Sequence, residues 1–364
     1  MSGRSLDIVV LGLSLTSSWG NGHATTYRAL IAGLAAEGHR VLFLERDVPW
    51  YADHRDLPEP DFCDLALYRT VAEMMGGFAR RMADADAVIV GSYVPEGAAV
   101  IDRLLTGGVR PLLFYDIDTP VTLAALDRGE AVHLRADQIP LFDAYLSFSG
   151  GPALDHLEIA RGARRAEALY CSVDPDRYTH APDRVARWDM GYLGTYSDDR
   201  QPGLEDLLLE PARRLPERRF VVAGPMYPDG IDWPANVERI AHLPPSRHAA
   251  FYNAQRFTLN VTRADMRRMG WSPSVRLFEA AACGTPIVSD DWPGLTDIFP
   301  DREAILIARS SDDVVKMLTA LPDDRRRAVG QSARARVLRW HSGRVRARHL
   351  ARIIEELAVE RIGG

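Results

Sequence analysis

The sequence predicts an α/β protein built from two successive parallel-sheet domains. Three observations carry that prediction. The chain has 364 residues, enough for two domains at roughly 100–200 residues each. Short, continuously apolar runs alternate with longer amphipathic stretches, the pattern of strands covered on both faces by crossover helices. The alternation breaks once, at a polar proline-containing stretch, and then resumes.

In the first half the strand candidates are Ile8–Leu13, Val41–Leu44, Ala87–Val90, Leu112–Tyr115 and Tyr145–Phe148. Helices are expected at His23–Glu37, Leu65–Ala83, Glu96–Leu105 and Pro152–Arg161. The segment Leu169–Tyr178 and the polar run up to Arg187 read as a linker. Beyond it, strands are expected at Met190–Leu193, Phe220–Ala223, Phe257–Val261, Pro286–Ser289 and Ile305–Ile307. Helices are expected at Gly203–Leu215, Ser246–Asn253, Val275–Cys283 and Asp312–Leu321, and an Arg-rich helical tail at Arg325–Arg361.

Composition narrows the function classes. The net charge of −6 supplies no basic field for nucleic acid. Cys63, Cys171 and Cys283 have no metal-ligand spacing and cannot all pair, which points to a reducing compartment and a cytoplasmic location. No apolar run approaches the roughly 18 residues of a membrane span. The run Ile8–Leu15 reads as a buried first strand rather than a signal peptide, because Asp7 opens it and a Gly-rich turn follows.

Two α/β domains in succession place ligands at the carboxyl ends of their strands, so the loops there hold the candidates. In the first, Ser17–Thr26, Gly20 and Gly22 permit a tight turn and close approach of the backbone around Asn21 to a ligand. The helix start beyond suits a phosphate or carboxylate. His23 at its mouth is a candidate base or donor, or a surface histidine. In the second loop, Asp116 and Asp118 follow an apolar strand. They could act as base or position an acceptor, hold a cation, or cap the helix near Pro120. In the third, a strand ends at Gly194 and Arg200 precedes the next helix, a place for a cation on a diphosphate or for a solvated arginine. The fourth is a helix that Ser272 or Ser274 can cap and Gly284 stops. Arg276 and Glu279 share one of its faces, as a site or as a surface pair.

Glu279-Ala-Ala-Ala-Cys-Gly-Thr-Pro-Ile-Val288 resembles the signature of GT-B glycosyltransferases. The longer stretch Ser272–Pro286 is similar to the CgeB-like (spore-maturation type) family, as are Ser17–Arg28, Asp116–Pro120, Tyr170–Asp174 and Leu259–Arg263. The resemblance implies a GT-B fold: α/β, two Rossmann-like domains with parallel sheets facing across a cleft, and a C-terminal helix crossing back to the first domain. The expected divisions are 1–173 on the acceptor side, 174–338 for the nucleotide-sugar, and 339–364 for the returning helix.

The resemblance also implies residue roles. Glu279 matches the glutamate that binds the ribose hydroxyls. Arg200, six residues after Gly194, stands where relatives carry a lysine on the diphosphate. The N–H groups of Ser274 and Val275 would face that diphosphate. Gly224 and Pro225 begin the base pocket, and His242 and Leu243 lie where backbone groups read the base. Two positions depart from the pattern: Trp271 replaces a second glutamate, and Thr195 replaces an arginine. Arg276 and Arg263 are candidates to replace the missing cation.

The expected function is hexosyl-type transfer from a nucleoside-diphosphate sugar, uridine-linked, to an unidentified acceptor. No cofactor or metal is expected to be obligatory. His23, Asp116 and Asp118 are the expected catalytic groups. The alternatives are a nucleotide-sugar epimerase of the same fold and a non-catalytic nucleotide-sugar-binding or coat-assembly protein.

Overall fold

The computed structural model describes residues 4–20, 22–130 and 133–363. They form two compact units, Met1–Asp174 with Ser342–Gly364, and Pro175–His341. The first unit holds strands β1 (Asp7–Gly12), β2 (Arg40–Arg46), β3 (Asp64–Tyr68), β4 (Ala87–Gly91), β5 (Leu112–Asp116), β6 (Ala144–Ser147) and β7 (Ala166–Ala168). They lie parallel in the order β3-β2-β1-β4-β5-β6-β7. The second unit holds β8 (Trp188–Leu193), β9 (Phe220–Ala223), β10 (Val237–Ile240), β11 (Gln255–Asn260), β12 (Ile287–Ser289) and β13 (Leu306–Ile307). These too are parallel, in the order β10-β9-β8-β11-β12-β13.

Every residue of β4, β5, β6, β9 and β12 is buried. Both faces of those strands are covered, which is why each reads as an unbroken apolar run. The sheet edges differ, and there the structure departs from the expectation. Residues 65–83 are not one helix: β3 comes first, then helix Val71–Asp84. Thr70 caps that helix by accepting from the Glu73 N–H at 3.1 Å, and Glu73 reaches back to the Arg69 N–H at 2.9 Å. β7, β10 and the short helix Ala264–Met269 were not anticipated. The Arg-rich tail is two helices, Asp323–Trp340 and Gly343–Gly363, divided at His341 and Ser342.

The last helix packs on helix Gly22–Ala36 at backbone distance. A Cβ on Gly33 would sit 2.3 Å from the Gly343 carbonyl oxygen, and one on Gly343 would sit 2.0 Å from that of Ala29. Glycine at both positions is therefore a packing requirement. Beyond this contact Glu37 accepts from Arg344 at 2.8 Å and Arg348 at 2.7 Å. The two guanidinium groups hold its carboxyl below the usual range. Among the described residues no helix is long and apolar enough to cross a membrane.

Candidate functional site

In each unit the strand order reverses beside its first strand, between β1 and β4 and between β8 and β11. Open α/β sheets bind ligands outside the carboxyl ends of the strands at such points. The loops that leave those ends carry most of the residues singled out from the sequence.

In the first unit Gly20 turns the chain with φ +61°, in the left-handed region that favours glycine. Asn21 lies outside the described residues. Gly22 is exposed and opens the helix that His23 follows. The His23 Nε2 lies 3.8 Å from Asp118 Oδ2. Its ring meets Tyr93 edge-on at 5.4 Å, and Tyr93 in turn lies 4.7 Å from the His133 ring. Tyr93 holds φ +61°, a strained conformation for a bulky residue and one that clusters at functional sites. Thus His23, Asp118, Tyr93 and His133 lie together past the ends of β1, β4 and β5.

Asp116 stands apart from that group by burial. It is fully enclosed and accepts from Tyr145 Oη at 2.6 Å, Thr122 Oγ1 at 3.0 Å and the Asp118 N–H at 3.1 Å. Loss of hydration outweighs those bonds and pushes its carboxyl up to about 6. Its hydrogen bonds shape the turn that presents Asp118. Asp118 opens helix Thr119–Asp127 from the N-cap position without a side-chain capping bond. His133 is held by burial to about 4, and its Nε2 lies 3.4 Å from Thr122 Oγ1. Tyr93 was findable, since it follows an apolar strand by two residues. His133 has no such local signal, because it joins the group only through tertiary contact.

In the second unit Arg276 is buried and pinned. Its Nε donates to the Leu193 carbonyl, its Nη1 donates to Asn260 Oδ1 at 2.9 Å, and its guanidinium lies 4.8 Å over the Tyr192 ring. Asn260 also accepts from Ser274 Oγ at 3.0 Å. Arg276 thus ties the ends of β8 and β11 to the helix Val275–Ala282. A Cβ on Gly194 would lie 2.8 Å from the Arg276 Nη2, and one on Gly224 would lie 2.0 Å from the Gly194 carbonyl oxygen. These two glycines let β8 and β9 end in direct backbone contact, with Pro225 following. Arg200 donates to the Thr195 carbonyl at 2.6 Å and so folds back over its own loop. Arg263 lies 3.8 Å from Asp199.

Glu279 is 3% exposed and is the hub of a second network. Its Oε1 accepts from Tyr178 Oη at 2.7 Å, and its Oε2 from Tyr252 Oη at 3.1 Å. Each carboxylate oxygen retains a second lone pair. His248 Nδ1 stands 3.3 Å from Tyr178 Oη and 3.7 Å from Glu279 Oε2, while its Nε2 lies 3.1 Å from the Leu243 carbonyl oxygen. Through His248 the structure joins Leu243, beside exposed His242, to Glu279. Tyr178, Tyr252 and His248 were not singled out from the sequence. The Ser274 and Val275 N–H groups stand at the opening of helix Val275–Ala282, where a helix leaves its first donors without intrahelical partners. Among the described residues no group of three or more His, Cys, Asp or Glu is placed to hold a metal ion.

Sequence and structure comparisons fit this geometry. Residues 200–352 match a family model described as glycosyl transferase-like. No curated protein matches the chain. Among solved structures, sucrose-phosphate synthase from Thermosynechococcus elongatus superposes with a TM-score of 0.73 at 15% identity, covering 98% of this chain and 100% of its own. AviGT4, a glycosyltransferase involved in avilamycin A biosynthesis, gives 0.66 at 18% identity, covering 98% of each chain. HepE from Anabaena, in complex with UDP and glucose, gives 0.67 at 11% identity, covering 96% of this chain and 100% of that one. The chain has the GT-B glycosyltransferase fold. Within this GT-B chain, Arg200, His242, Arg276 and Glu279 all fall in the family-matched segment, whereas the His23 group lies before it.

Proposed function

We propose that this GT-B protein is a cytoplasmic glycosyltransferase of the CgeB-like kind. It moves a hexose-type sugar from a uridine-diphosphate sugar to an acceptor hydroxyl, and needs no metal. The observation that carries the reading is the network around Glu279. One buried carboxylate, held by Tyr178 and Tyr252, is linked through His248 to the Leu243 carbonyl. The segments expected to bind ribose and base are therefore one connected unit. The solved relatives in complex with UDP or UDP-glucose support the choice of donor.

On this reading Glu279 accepts from the ribose hydroxyls, and the start of helix Val275–Ala282 faces the diphosphate with Arg200. Arg276 acts by fixing the loop ends, because its guanidinium is already committed to Leu193 and Asn260. On the acceptor side, the His23–Asp118 pair favours proton abstraction by His23, with Asp118 orienting the ring. The acceptor oxygen bonds to the anomeric carbon, its proton passes to His23, and the nucleoside diphosphate leaves with the bonding electrons. Asp116 is a positioning residue for Asp118.

The deciding measurement is calorimetry with UDP, using wild type and Glu279→Gln. A charge-assisted bond contributes roughly 1.5–3 kcal/mol, so Kd for UDP should rise about tenfold or more. Unchanged affinity would take Glu279 out of the nucleotide site, and no UDP binding by wild type would sink the donor reading. Turnover that persists in EDTA fits the metal-free mechanism. Turnover restored only by manganese or magnesium refutes it. Release of UDP only when acceptor is present separates the transferase from an epimerase or a non-catalytic binder.

A further inference from the structure

The loop after β1 is held far more firmly than a turn requires. Glu45, fully buried at the end of β2, takes four hydrogen bonds from it. They come from Ser14 Oγ at 3.0 Å, the Leu15 N–H at 2.6 Å, the Thr16 N–H at 3.0 Å and Thr16 Oγ1 at 2.6 Å. A second clamp lies further along. Asp56 receives both Nη atoms of buried Arg28, at 2.8 and 2.9 Å, together with the N–H and hydroxyl of Ser18. Ser17 Oγ donates to the His54 carbonyl at 2.8 Å, and the Leu57 N–H to the Thr16 carbonyl at 3.0 Å.

What these bonds present to solvent is Trp19. Its ring stacks on His54 at 4.6 Å with an interplanar angle of 26°, and the residue is 41% exposed. A single exposed apolar side chain is ordinary. One fixed by a buried carboxylate and a bidentate arginine pair, four residues before His23, is preorganised, and preorganisation is what lowers the cost of binding.

We propose that Trp19, backed by His54, is the stacking platform for a neutral pyranose ring of the acceptor, so that the acceptor is a carbohydrate. The inference rests on the glycosyltransferase reading for the word acceptor, but the site stands on its own geometry. His54 covers one face of the indole, and the residue remains 41% exposed, which leaves surface for a ligand. A pyranose carries C–H bonds on one face, which suit the electron-rich indole, and hydroxyls at its edge. His54 stacks on the ring, and the residues beside the pair in sequence are polar: Ser18, Asp53, Arg55 and Asp56. They suit sugar hydroxyls. A flat hydrophobic aglycone would need apolar cover on both faces.

The test uses the full chain, saturation-transfer NMR and tryptophan fluorescence. The probes are methyl glucoside, methyl galactoside, methyl rhamnoside, maltose and lactose, with 2-naphthol as the aromatic competitor and UDP calorimetry in parallel. At least one neutral saccharide should bind wild type. Trp19→Ala should weaken that binding tenfold or more and Trp19→Phe less, with UDP affinity and melting temperature unchanged in both. Trp50→Ala, at another exposed tryptophan, should leave saccharide binding intact. Saccharide binding untouched by Trp19→Ala overturns the proposal. So does wild type that binds UDP but none of the sugars, or Trp19-dependent binding of naphthol alone. Failure to bind UDP while sugars bind at Trp19 would strike the donor reading and leave this site standing.

Discussion

Replacing Asp116 by asparagine should change how stability depends on pH. In the native protein its carboxyl is raised from 3.8 to about 6, chiefly by burial. The native state therefore holds this proton more tightly than the unfolded chain does. Between those two values folding binds a proton, so stability falls as pH rises through the window. A shift of roughly two units at about 1.4 kcal/mol each totals near 3 kcal/mol, of which about 2.4 kcal/mol is lost between pH 4 and pH 7. Asparagine keeps an oxygen for Thr122 Oγ1 and the Asp118 N–H and turns its amide toward Tyr145 Oη, which then accepts. It does not titrate. The assay is urea unfolding of both proteins at half-unit steps from pH 4 to 7. The difference in unfolding free energy should move by about 2.4 kcal/mol in favour of the variant as pH rises from 4 to 7. Parallel profiles would show that Asp116 ionises at its ordinary value, and a slope of opposite sign would show that hydrogen bonds, not burial, set its state.

Other consequences follow from packing and hydrogen bonding. Gly33→Ala and Gly343→Ala should each destabilise by roughly 1–3 kcal/mol, the cost of overpacking, because a Cβ at either site meets backbone at 2.3 Å or less; thermal melts unchanged within a degree would refute the close approach. Glu45→Ala strands the Leu15 and Thr16 N–H groups and should cost about 2–6 kcal/mol, at roughly 1–3 for each unsatisfied group, with proteolysis appearing first between residues 14 and 20. Glu279→Ala should also lower the melting temperature, since it leaves the Tyr178 and Tyr252 hydroxyls buried without their acceptor, whereas Glu279→Gln should melt close to wild type. Gly194→Ala should disturb UDP binding at a distance, because its Cβ would press on Tyr192 and Arg276; full affinity in that variant would show that the loop yields.

What the sequence determined by itself is the pair of parallel sheets and their central strands. β1, β4, β5 and β9 are read correctly to within a residue because burial on both faces demands an unbroken apolar run, which is a local signal. The strands missed are β3, β7 and β10, all at sheet edges. An edge strand such as Val237-Glu-Arg-Ile240 is only partly buried, so charged residues break its pattern, and only its neighbour reveals it. The same division runs through the candidate site. Glu279, Arg276 and His23 were singled out from the sequence as polar residues on helices that open at candidate loops. Their surroundings were not. Tyr178 meets Glu279 across 101 residues of sequence, Arg276 meets Leu193 across 83, and Glu45 secures a loop some 30 residues before it. Such pairs leave no periodicity or spacing behind. Whether a carboxylate beyond a strand faces solvent, as Asp118 partly does, or is sealed in, as Asp116 is, depends on what the rest of the fold lays over it. Only the tertiary structure decides that.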